Sequence, residues 1–172
     1  IIFAAVILVS LMMTLKQNDG RLIYALDDAY IHMAIAKNVV EHGVWGVTRY
    51  EFASASSSPL WTGLLILGYS LLGVNVYLPL LLNFVVGIII IYFLFRLIPT
   101  FIPKQRHQFI LILTIIFVTP VTALSFSGME HNLHFLLTLL FLAYGGRYLS
   151  SENGRSRARL GLLLTGPFLA VV

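Results

Sequence analysis

Val74–Ile98 reads VNVYLPLLLNFVVGIIIIYFLFRLI, and its one charged residue is Arg96, near the end. The run exceeds the ~20 apolar residues that carry a helix across a hydrocarbon core. It reads as a full-length membrane span, and the expected fold class is all-α: a polytopic transmembrane helical bundle. Composition agrees. Of 172 residues, 59% are hydrophobic and 10% charged, with mean hydropathy +0.92. Soluble chains carry about 25% charged residues. The net charge of +4 is no nucleic-acid signal, because the basic residues sit mainly in two short loops. There is no cysteine, so no disulfide forms and no redox compartment is indicated.

Downstream of the span, Pro99–Gln108 carries Lys104 and Arg106. Phe109–Ser125, containing Pro120, reads as the next span, and Ser127-Gly128-Met129-Glu130-His131 as a short break. Asn132–Gly146 reads as a further span, and Arg147–Arg159 as a loop with four arginines. A last span begins at Leu160. Upstream, Leu60–Gly73 is apolar and follows Pro59, a favoured first helical position. Its length of roughly 22 Å falls short of a ~30 Å core. Ile1–Leu15 is short for a span but reads as a retained first one, because no small-residue cleavage site follows it. The chain opens on Ile1-Ile2-Phe3 and stops within Leu160–Val172. It is therefore expected to be the N-terminal part of a longer transmembrane domain, 1–172, truncated at both ends.

Basic loops belong in the cytoplasm. That places 96–107 and 147–159 inside and Ser127–His131 outside. The loop of residues 16–58 joins the outer face if one span separates residues 58 and 96, which makes Leu60–Gly73 re-entrant or interfacial. The competing assignment makes Leu60–Gly73 a true span and puts Ser127–His131 inside.

The long polar stretch 16–58 holds four basic residues against five acidic ones. Within it stands Leu26-Asp27-Asp28-Ala29-Tyr30-Ile31-His32, two adjacent carboxylates in a chain with seven acids. Asp28–His42 reads as a helix, with Asp27 as N-cap and Gly43 just past its end. Lys37, Asn38 and Glu41 form its narrow polar wedge. Capping explains one aspartate and tolerates the other. It leaves the apolar flanks of the pair unexplained, and ionisable groups near lipid depth default to functional candidates. A carboxylate placed there suits general-base work on an acceptor hydroxyl. His32, one turn after Asp28 on the same helical face, is a candidate partner for Asp28 or for a phosphate. Glu130 and His131 follow Ser127 with the spacing of a capping box. The histidines His131 and His134 are not in the H-E-x-x-H zinc pattern. Arg49, the serine run ending in Ser58, and Trp61 are candidates for holding an anionic phosphate near a helix start. Trp61 also fits an interfacial aromatic.

These motifs, in this order, resemble the GT-C superfamily of glycosyltransferases: Asp27-Asp28-Ala29-Tyr30-Ile31, Gly43, Trp45-Gly46-Val47, Ser57-Ser58-Pro59-Leu60-Trp61 and Ser127-Gly128-Met129-Glu130. The resemblance is nearest to the bacterial branch with the mycobacterial-type arabinofuranosyltransferases. Protein O-mannosyltransferases and lipid A aminoarabinose transferases are more distant. It implies an inverting enzyme of the plasma (inner) membrane with its site on the extracytoplasmic face. The implied donor is a polyprenyl-phosphate-linked sugar, and the acceptor a glycan, lipid or protein; membrane lipids are its surroundings and nucleic acid is not a partner. The family's base maps onto Asp27, with Asp28 beside it, and a second acid onto Glu130. Ser57 stands where Thr commonly precedes Ser-Pro-Leu-Trp, and His131 where Thr often follows Gly-Met-Glu. Both departures bear on the acceptor. Two adjacent carboxylates permit a divalent cation, Mg or Mn, without requiring one. The rival reading is an ion- or proton-coupled transporter, which expects acids in the middle of spans and broken helices at the midplane.

Overall fold

A computed structural model of the chain describes residues 1–150 and 155–172. Among the described residues every regular element is helical. The helices are α1 (Ile2–Gln17), α2 (Asp27–His42), α3 (Pro59–Leu72) and α4 (Leu78–Leu97), which tightens into a 3-10 turn at Ile98–Thr100. There follow α5 (Gln105–Val118), α6 (Val121–Ser125), α7 (His131–Ser150) and α8 (Arg155–Leu169). The helix with its terminal turn, Leu78–Thr100, spans 23 residues with hydropathy 2.6 and is long and apolar enough to cross a membrane. The apolar helices α1, α3 and α5 are shorter.

Two expected element bounds change for local reasons. The expected span Phe109–Ser125 breaks at Thr119-Pro120 into α5 and α6. Proline supplies no amide and disfavours helical geometry in the residue before it, and Thr119 is extended. The expected loop Arg147–Arg159 is largely helix: α7 runs on to Ser150 and α8 starts at Arg155. Residues 151–154 of that loop lie outside the described residues.

Two ends of the bundle are distinguishable by packing. At one end, Leu11 and Leu15 of α1 meet Leu22, Tyr24, Ala29 of α2, Leu80 in the first turn of α4, and Met129. At the other, Leu97, Thr100 and Phe101 share a recess with Gly146, Arg147 and Ser150. Between the ends, Ile90, Leu94 and Leu136 bury the facing sides of α4 and α7. α1 packs directly on α4: Phe3 stacks on Phe84 at 6.1 Å and fills the space beside Gly87. α7 and α8 form an antiparallel hairpin in which Tyr144 lies over Gly161 and Phe141 near Gly166. The hairpin returns the chain to the first end, where the Leu60 amide donates to Val171 O.

α3 does not run the length of the bundle. Its start touches the 127–130 turn through Trp61, and Gly68 near its end lies against Leu78. Tyr24 connects these two places, with its ring at Gly128 and its hydroxyl at Val76 and Leu80. Trp61 and Gly68 of α3 are thus both tied to elements that Tyr24 joins. Ala36 of α2 shares a core with Trp61, Leu65, Tyr69 and Leu78.

Candidate functional site

α2 starts one residue earlier than expected. Leu26 is extended (φ −118°, ψ 137°) and is the N-cap, with no side-chain cap bond. Asp27 is thus not the cap. Asp27 and Asp28 both occupy the first helical turn, where the helix dipole favours anions. Both are exposed. The far end is as expected: Gly43 is left-handed at φ 69°, and its amide closes the helix onto Asn38 O and Val39 O.

His32 is a core residue; it is 1% exposed. No hydrogen bond joins it to Asp28 among the described residues. Its Nδ1 lies 2.8 Å from Thr62 Oγ1, which in turn lies 2.9 Å from Ser56 Oγ. Its Nε2 lies 3.2 Å from Ser57 Oγ and 3.8 Å from Glu130 Oε2. Burial pulls its pKa below the ordinary histidine value, and the negative charges of Glu130 and Asp28 oppose that shift. His32 thus senses carboxylates from two distant parts of the chain.

Glu130 is buried, and its Oε2 has no hydrogen-bond partner among the described residues. The capping box expected here does not form. α7 begins at His131, and the Ser127 hydroxyl works within its own turn, donating to Leu124 O and accepting from the Met129 amide. That frees the Glu130 side chain to face His32. The turn is pinned from two sides: Trp61 Nε1 donates to Gly128 O at 3.1 Å, and Asn83 Nδ2 donates to Met129 O at 2.9 Å. Gly128 has φ 73°, and a Cβ there would stand 2.8 Å from Tyr24 and from Ala29. Only glycine fits this close approach.

The substrate-binding candidates divide. Ser58 is fully buried and is the N-cap of α3, its hydroxyl accepting from the Trp61 amide. Trp61 is fully buried rather than interfacial. Arg49 is exposed, with its guanidinium 4.9 Å over the Tyr50 ring and bonded to the Tyr50 hydroxyl. Its loop is anchored to the C-terminal half of α2, because Asn38 donates to Gly46 O and Val47 O. Among the described residues no ion pair joins Arg49 to the acids. His131 is exposed on the first turn of α7. Asn38 also leaves the expected polar wedge: it is buried, while Lys37 and Glu41 are exposed.

Three polar residues that position the site were not anticipated: Tyr24, Thr62 and Asn83. Asn83, a polar side chain inside the longest apolar run, was the one visible signal. A divalent cation fits poorly. Among the described residues no group of three His, Cys, Asp or Glu side chains is gathered to hold one, so no step is routed through a cation.

No protein-family model, no curated protein and no solved structure matches the chain.

Proposed function

We propose that this chain belongs to an integral-membrane glycosyltransferase that moves a sugar from a polyprenyl-phosphate donor to an extracytoplasmic acceptor. The observation that supports this reading is the gathering of Asp27, Asp28 and Glu130 at one end of the helical bundle. The cationic segments around Arg96, Lys104, Arg106 and Arg147 lie at the other. A polytopic chain with that division presents the acids on the outer face and the cations to the cytoplasm. The resemblance to GT-C enzymes rests on short motifs, and three of them meet here: α2 carries the Asp-Asp motif, α3 opens with Pro59-Leu60-Trp61, and Trp61 donates to Gly128.

In the proposed reaction the acceptor oxygen attacks the anomeric carbon from the face opposite the phosphate. Asp27 takes the hydroxyl proton as that bond forms. The bond from the anomeric carbon to the phosphate oxygen breaks, and the polyprenyl phosphate leaves with its electron pair. The anomeric configuration inverts, and Asp27 later returns its proton to water. An exposed first-turn carboxylate is accessible to an acceptor.

The test is transfer of label from radiolabelled polyprenyl-phosphate sugars by the intact protein in membranes. Asp27→Asn is expected to abolish transfer while the amount of protein in the membrane stays the same. Transfer by Asp27→Asn at the wild-type rate removes Asp27 from the role. Absence of transfer from every sugar donor removes the reaction.

A further inference from the structure

Glu130 and His32 stand apart from the exposed aspartates. Both are buried, and Glu130 Oε2 faces His32 Nε2 at 3.8 Å without a hydrogen-bond partner among the described residues. At that distance the contact is an approach and not yet a hydrogen bond; a small rotation of the carboxylate closes it. Behind the ring, Nδ1 lies 2.8 Å from Thr62 Oγ1, and Thr62 Oγ1 lies 2.9 Å from Ser56 Oγ. A bare nitrogen lone pair on Nε2 would repel the carboxylate. The favoured tautomer therefore carries its hydrogen on Nε2, and Nδ1 accepts from the Thr62 hydroxyl. The Thr62 oxygen then accepts from Ser56.

We propose that His32 is a positioning residue. The Glu130 carboxylate selects the tautomer with hydrogen on Nε2, the Thr62 hydroxyl supports it by donating to Nδ1, and the Nε2–H holds the Glu130 carboxylate in the orientation that receives an acceptor hydroxyl. The role given to Glu130 rests on the proposed transfer reaction; the way His32 holds it does not. Ser57 Oγ, 3.2 Å from Nε2, shares the same hydrogen and limits how far the ring can turn. The charged groups acting on His32 are Glu130 from the turn before α7 and Asp28 from its own helix. Burial outweighs both, so the ring acts as a neutral donor.

Nitrogen NMR of histidine-labelled protein in lipid bilayers reads the tautomer without any transfer reaction. His32→Gln identifies the His32 signal among the five histidines. The expected wild-type signal at neutral pH is a neutral ring with hydrogen on Nε2. Thr62→Val, which removes the hydroxyl donating to Nδ1, shifts the Nδ1 resonance while the hydrogen stays on Nε2. Glu130→Gln makes His32 take up its proton at lower pH, because it removes a charge that favours imidazolium. A hydrogen on Nδ1 in the wild type, or a signal indifferent to both substitutions, overturns the proposal.

In the transfer assay, His32→Ala is expected to lose on the order of 100-fold in kcat, the scale of a misplaced reacting group. His32→Gln, whose amide accepts from Thr62 and donates to Glu130, restores most of that rate and flattens the acid side of the pH profile. A glutamine variant as slow as the alanine variant overturns the positioning role. If the NMR results hold while the wild type transfers no sugar, the transferase reading fails and the His32–Glu130 arrangement stands.

Discussion

At Tyr24 the phenol hydroxyl donates to Val76 O at 2.6 Å and accepts from the Leu80 amide at 3.2 Å, while the ring lies against Gly128. Burial pushes this phenol above its ordinary pKa, so it stays a neutral donor. Tyr24→Phe leaves both backbone groups without their partner and is expected to cost about 1–3 kcal/mol. Thermal unfolding in detergent checks this; an unchanged midpoint would deny Tyr24 its bridging role. His32 sets a pH dependence. Its folded pKa lies below the ordinary value of 6.5. The stability it contributes is therefore fully present above pH 6.5 and is lost as pH falls through that value toward the folded pKa. Melting midpoints measured across this window are expected to fall on acidification, and to fall less in His32→Gln. Equal slopes would place the acid sensitivity elsewhere.

Among the elements, the turn before α7 is the least forgiving. Gly128→Ala introduces a Cβ that stands 2.8 Å from Tyr24 and Ala29, at φ 73°. The strain and overpacking together are expected to cost about 1–3 kcal/mol. Because the turn carries Glu130, activity is expected to fall with stability; a melting midpoint equal to wild type would show that the turn relaxes freely. α2 was legible from the sequence because its end signal is local: Gly43 takes the positive φ that closes a helix. α4 was legible from length and hydropathy. The burial of His32 and Asn38 was not, because a polar residue on a helix reads as facing water unless its partner is known. Those partners lie outside α2: Thr62 in α3 and Ser57 in the loop before it for His32, Gly46 and Val47 in that same loop for Asn38. Trp61 misled for the same reason, since its indole N–H finds Gly128 across the chain. The break at Pro120 was visible as a residue, yet its neighbours are apolar enough to read through.

For the molecule as a whole, the division of charge fixes an expected orientation. The chain has no cysteine, so single cysteines report cleanly on sidedness. Ser54→Cys is expected to react with an impermeant maleimide from outside the cell, and Lys104→Cys to react after permeabilisation. Labelling of both from the same side would refute the proposed arrangement. The Asp-Asp motif and the Glu130 turn were each legible as motifs. Their meeting was not, because it depends on Tyr24 and Trp61 reaching across segments that periodicity treats as independent.

The direct packing of α1 on α4 also has a meaning in polymer terms. Everything from Asn18 to Tyr77, including α2 and α3, is a loop inserted between two helices that touch each other. Its ends are pinned whatever its contents. The closure entropy of such a loop grows with the logarithm of its length, about 0.6 kcal/mol for each doubling. The cap that carries the aspartates can therefore lengthen or be exchanged at its exposed Val47–Phe52 bend with little strain on the bundle beneath. Changes of length are free to accumulate at that bend, while α1 and α4 beneath keep their register.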